Sequence, residues 1–163
     1  MRLIIFFLTC VGLAAAERAP EWLPVEQQVA EAVKSEKVTV VHFWAPWCSN
    51  CNAELSKQGW SNFIAANPKV EFIFVTIWHR DDHGRELLEK NGVGPQKNFR
   101  HLVHPNGATR EDTRANSFMG VPLTWIPATW VYRKGYLYYA LNYGELRFPV
   151  LQQLINDSTA NWD

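Results

Sequence analysis

Apolar positions recur along this chain with two periods, and the changes from one to the other mark out helices and strands. Trp22, Val25, Val29, Ala32 and Val33 fall at helical spacing, which predicts an amphipathic helix over 21–36. The run VTVVHFW at 38–44 is almost continuously apolar and reads as a buried central strand. Residues 52–66 have the composition of a helix, Asn67-Pro68 interrupts it, and 70–77 reads as a second buried strand. Two strands separated by one helix make a βαβ unit, hence a parallel pair with a right-handed crossover. Further on, Asp81-Asp82 can cap a helix over 85–90 that Asn91-Gly92 ends. A strand is expected at 99–104, closed by Pro105-Asn106-Gly107, and a helix at 110–118. The chain then turns antiparallel: 128–132 and 136–141, joined by Lys134-Gly135, predict a hairpin, and 148–155 a closing helix.

At the seam between the first strand and the second helix lies Phe43-Trp44-Ala45-Pro46-Trp47-Cys48-Ser49-Asn50-Cys51. Two thiols three residues apart at a strand-to-helix junction are the arrangement of a redox dithiol. Unpaired N–H groups and the positive end of the helix dipole favour thiolate at the first position, so Cys48 is the expected nucleophile. Cys51, almost one turn further in, is placed to attack a mixed disulfide on Cys48. Glu54 follows Cys51 by three and shares its helix face, where a partly buried carboxylate can take a thiol proton. His42 lies in the preceding strand, and a histidine titrating near pH 6 to 7 there would make the dithiol pH-dependent.

Composition narrows the context. The 163 residues are 47% hydrophobic, enough for one domain with a core. Sixteen basic and sixteen acidic residues balance, so neither nucleic acid nor an anionic membrane is indicated as a partner. Residues 1–16 read as a secretory leader: Met1-Arg2, an apolar stretch and Ala14-Ala15-Ala16. The apolar stretch is shorter than the roughly 20 residues that span a bilayer, which disfavours an uncleaved anchor. Cys10 would leave with the leader, so the mature domain at 17–163, with its core at about 20–158, keeps only Cys48 and Cys51. So short a loop staples almost nothing, which leaves redox work in a periplasmic or equivalent extracytoplasmic space.

The Trp-Cys-x-x-Cys turn, Ile126-Pro127 before a strand, and the terminal hairpin plus helix together resemble the thioredoxin fold. The longer stretch through Asn52-Ala53-Glu54-Leu55 resembles the exported thiol-disulfide oxidoreductases of the TlpA and ResA type. The resemblance implies an α/β fold with a mixed central sheet flanked by helices and a central insertion at about 79–105. It implies a cis bond at Pro127, in preference to Pro122, lying against the dithiol, with the Ile126 backbone free to align a client chain. It also implies a reductase without cofactor or bound metal, and a membrane-bound electron donor. Its clients would be exported thiol or disulfide proteins such as an apocytochrome c, and a monomer is expected. Trp47 and Trp125 are the candidates for contact with the client. Three departures stand out: His42 where relatives carry an acid or asparagine, Ser49-Asn50 between the cysteines, and Ser56 where relatives often have proline. The uncharged pair favours a reductant, and the direction of electron flow stays open. The alternatives are an oxidase or isomerase of secreted clients and a copper-binding metallochaperone, the latter drawing on His79, His83, His101 and His104.

Overall fold

The apolar run at 38–44 becomes β1 (Val38–Trp44) in the computed structural model, which describes residues 21–142 and 144–160. All of β1 is buried, which is why the strand has no polar face. The other strands are β2 (Glu71–Thr76), β3 (Phe99–Val103), the short pair β4 (Ser117–Phe118) and β5 (Val121–Pro122), β6 (Ala128–Arg133) and β7 (Tyr136–Leu141). β1 pairs in parallel with β2, and β2 with β3, while on its other edge β6 and then β7 run antiparallel. The sheet is therefore mixed, in the order β3-β2-β1-β6-β7, as expected. The segment 79–105 supplies β3 at one edge together with α4 (Arg85–Lys90).

Successive residues of β1 face opposite sides of the sheet. Phe43 meets Phe118 and Trp130 at ring distances of 4.9 and 4.5 Å. His42, on the other side, meets Trp60 and Phe74 at 4.6 and 4.7 Å. Helices cover the sheet, starting with α1 (Pro24–Val33), which is shorter than its apolar pattern. Pro24 bars Leu23 from helical backbone angles, so the helix starts at the proline. Glu26 reaches back to accept the Leu23 N–H at 2.8 Å.

The helix expected at 52–66 is two helices, α2 (Ser49–Leu55) and α3 (Gly59–Ala66), separated by a 3-10 turn at Ser56–Gln58. The helix breaks here with Ser56 where relatives often carry proline, and Gln58 takes a left-handed φ of 58° just ahead of α3. A β-carbon on Gly59 would sit 2.7 Å from both the Glu54 carbonyl and the Phe148 ring of α5 (Phe148–Asp157), so only glycine lets the final helix approach the bend.

Two local expectations fail. Residues 110–118 are not a helix: a turn at 110–114 leads into the β4–β5 hairpin, with Met119 and Gly120 at φ 49° and 75°. Arg110, Glu111, Asp112, Thr113 and Arg114 offer no apolar stripe to bury, and a lone turn of helix does not hold itself together in water. Asp81-Asp82 do not cap α4 either. Gly84 occupies that position, and Asp82 accepts the Gly84 N–H at 2.9 Å just ahead of it. The leader at 1–16, with Cys10, lies outside the described residues.

Candidate active site

β1 ends at Trp44, and Ala45-Pro46-Trp47 turns the chain into α2. Asn52 ties this turn down by donating its side-chain amide to the Pro46 carbonyl at 2.9 Å. Cys48 is the N-cap of α2, with extended backbone angles, and its Sγ accepts the Cys51 N–H at 3.3 Å. A sulfur there meets one of the free donors of the first helical turn, and that donor stabilises a thiolate more than a thiol. The two cysteines are joined as a disulfide. Cys48 retains 6% exposure against 1% for Cys51, so an incoming sulfur meets Cys48 first.

The Ile126–Pro127 bond is cis, and the Ile126 carbonyl oxygen lies 3.9 Å from Cys48 Sγ. Between that loop and the dithiol turn runs a groove of about 260 Å³, whose walls include Trp47, Cys48, Trp78, Arg114, Trp125 and Ile126. Trp47 and Trp125 are 43% and 57% exposed, large for indoles, while Ile126 is buried.

Behind the dithiol the surroundings are dry. Glu54 is buried in α2, one turn beyond Cys51. Its Oε1 accepts the Leu146 N–H at 2.7 Å, its Oε2 accepts the Trp60 indole N–H at 3.1 Å, and His42 Nε2 stands 3.4 Å from Oε2. Desolvation pushes the carboxyl up to about 7; the Leu146 and Trp60 donors pull the other way, and the nearby Glu145 charge adds to the rise. His42 Nδ1 is 2.9 Å from Thr129 Oγ1 on β6, and burial holds the imidazole down at about 3. Two aromatic rings and the sheet exclude the water that an imidazolium needs, and His42 stands as a buried, hydrogen-bonded residue of the core. The group that changes charge near neutrality is Glu54. At 3.4 Å the His42–Glu54 contact is no ion pair, since one partner stays neutral and the other is half protonated near pH 7.

Three other histidines bond to loop backbone or to the neighbouring strand. His79 has Nε2 3.0 Å from the His104 carbonyl, with its Nδ1 accepting the Asp81 N–H at 3.1 Å. His104 Nδ1 accepts the Asn106 N–H, and His101 pairs with Thr76 Oγ1 at 2.7 Å. Among the described residues no group of three His, Cys, Asp or Glu side chains converges as a metal site. Trp60, Trp78, Thr129 and Arg114 are site residues that the sequence reading did not single out. Only Trp78 carried a hint, as an indole directly after the apolar run of the second strand.

Solved structures share this architecture. A secreted Mycobacterium tuberculosis disulfide oxidoreductase homologous to E. coli DsbE aligns at 28% identity and TM-score 0.57, over 77% of this chain and 85% of its own. The dsbF protein of M. tuberculosis aligns at 25% identity and TM-score 0.57, over 76% and 82%. StoA from Bacillus subtilis, at 17% identity and TM-score 0.51 over 74% and 83%, is alike in fold. No curated protein matches the sequence. The model of the thioredoxin-like domain family spans residues 25–159, taking in the dithiol turn, the Ile126-Pro127 loop and the closing helix, and the chain belongs to that family.

Proposed function

We propose that this protein is a thiol-disulfide oxidoreductase that reduces disulfides of exported client proteins in an extracytoplasmic compartment. The observation that carries the reading is the placement of Cys48: N-cap of α2, the more exposed of the two sulfurs, at the floor of a groove bounded by Ile126. The Cys48 thiolate attacks one client sulfur, the client S–S bond breaks, and a client thiolate leaves. Cys51, its proton taken by Glu54, attacks Cys48 Sγ of the mixed disulfide and expels the second client thiolate. The dithiol loses two electrons and becomes the disulfide; the client gains two electrons and two protons. A carboxyl poised near 7 both accepts and returns a proton at neutral pH, which suits a group used once in each direction of a cycle.

The client backbone lies along Ile126-Pro127, and Trp47 and Trp125 give it apolar surface. No cofactor enters this scheme, and a membrane-bound donor rereduces the monomer. Ser49-Asn50 supports the reducing direction, because neither side chain supplies a cation to stabilise a thiolate strongly. The leader-like residues 1–16 support export, as does the secreted M. tuberculosis relative, and no described helix is long and apolar enough to cross a membrane. The test is the reduction potential of the Cys48–Cys51 couple in glutathione or dithiothreitol buffers. A value below about −220 mV supports a reductase, and one above about −150 mV reverses the flow and makes the protein an oxidant of client thiols.

A further inference from the structure

One cation lines the groove, Arg114, and a second, Arg80, lies over the Trp47 ring that forms part of its wall. Arg80 stacks over the exposed Trp47 at 4.7 Å, and Arg114 over the buried Trp78 at 4.4 Å. Arg114 donates from Nη2 to the Thr124 carbonyl at 3.3 Å; among the described residues its buried Nε has no acceptor and it is the one charged residue lining the groove. Neither guanidinium forms an ion pair among the described residues, whereas Arg100 and Arg110 are paired with Glu71 and Asp112. Asp81 and Asp82, although next to Arg80 in sequence, line a different concavity with Arg85 and Lys90.

The loop that presents Arg80 is held in an unfavourable shape. Trp78, Arg80 and Asp81 have φ of 53°, 50° and 64°, left-handed values that non-glycine residues rarely adopt. Tertiary bonds impose them. The Trp47 indole N–H donates to the Trp78 carbonyl at 2.5 Å, the Trp78 indole N–H donates to the Ala115 carbonyl at 2.8 Å, and the Arg80 N–H donates to the Gly107 carbonyl at 3.1 Å. A β-carbon on Gly107 would meet the His79 ring at 2.7 Å, so the glycine lets the two loops lock. Strained backbone fixed from several sides is a mark of a working surface.

We propose that Arg80 and Arg114 select client segments that carry a carboxylate within a residue or two of the reacting cysteine. The inference rests on the reading of the dithiol as an exchange site and adds its substrate class. A guanidinium held over an indole is already placed and loses little entropy when a carboxylate docks; on Arg114, where Nε is buried and Nη2 donates to Thr124, that leaves Nη1 as the edge for a client. An acidic flank makes the client cysteine a poorer leaving group, so chemistry alone would favour the opposite ranking.

The test uses peptide disulfides identical except for Glu, Gln or Lys beside the cysteine, exchanged with the full-length protein in both directions. Each rate is divided by that of dithiothreitol with the same peptide. The expected order is Glu, Gln, Lys, spanning about tenfold at low salt and shrinking to about twofold in 0.5 M salt. Arg114→Gln and Arg80→Gln each narrow the span, and Arg114→Lys retains more of it than Arg114→Gln. Because Arg80 is exposed, Arg80→Gln reads out selection even if Arg114→Gln disturbs the Trp78 contact. Equal rates, a reversed order, or a span unchanged in both Gln variants overturn the inference while leaving the exchange activity standing. No exchange with any peptide in either direction overturns both.

Discussion

The two sides of the dithiol differ in almost every physical respect. In front, Trp47, Trp125 and Arg80 are exposed and stand in water. Behind, His42, Glu54, Trp60 and Thr129 are all buried and bonded to one another. Water screens charge in front, so contacts there discriminate among partners by modest factors. The dry rear has the opposite property: a single proton on Glu54 is felt strongly, because desolvation has already lifted the carboxyl to about 7. Under the proposed function this contrast becomes a division of labour about one short helix, with recognition in front of its start and proton handling one turn deeper.

The severest way to break this picture is through the sulfurs themselves. Cys48→Ser should abolish exchange, while Cys51→Ser should still attack and then accumulate a mixed disulfide on Cys48, visible by intact mass. The opposite pattern would exchange the front and rear roles. Next in size is the carboxyl. Glu54→Gln should slow the resolving step on the order of a hundredfold and remove its titration near pH 7, which stopped-flow measurement across pH 5 to 9 would read.

Stability sharpens the same contrast. Glu54 holds its proton in the folded state up to about 7 but loses it near 4.5 when unfolded, so its contribution falls as pH rises between these values, by roughly 3 kcal/mol. His42 is held at about 3 against an ordinary 6.5, so its contribution falls as pH drops from 6.5 toward 3. Between 4.5 and 6.5 the two slopes oppose each other, and the pair contributes a plateau. Denaturant unfolding of the oxidised protein should lose the alkaline decline in Glu54→Gln and the acid decline in His42→Asn. At the front, Trp125→Ala should raise the KM for protein clients about tenfold without moving the unfolding midpoint, since its ring is mostly in water. The smallest effect belongs to Glu145→Gln, which should move the midpoint of the Glu54 pH profile downward by removing a neighbouring negative charge.

Much of this architecture was readable from local patterns. β1, β2, β6 and β7 follow apolar runs that need no partner to be recognised, and Cys48, Cys51 and Glu54 lie within one short motif. What escaped depends on contacts between distant segments. At the break before α3, Gly59 is required because the Glu54 carbonyl and Phe148 occupy the space a β-carbon would need. Arg114 reaches the groove because 110–114 is a turn rather than a helix. His42 was visible as an oddity in a strand, but its charge state depends on Trp60 and Phe74 closing over it, which residue type alone does not disclose.

The hydrogen bond from Trp60 to Glu54 gives the protein an internal optical gauge. An indole whose N–H faces a carboxylate emits differently from one facing a neutral acid, because the excited-state dipole responds to the nearby charge. Trp60 is fully buried, so bulk solvent does not compete for that response. Subtracting the emission of Glu54→Gln from that of the unaltered protein, pH by pH, therefore isolates one proton's arrival at the rear of the dithiol without label, client or electrode.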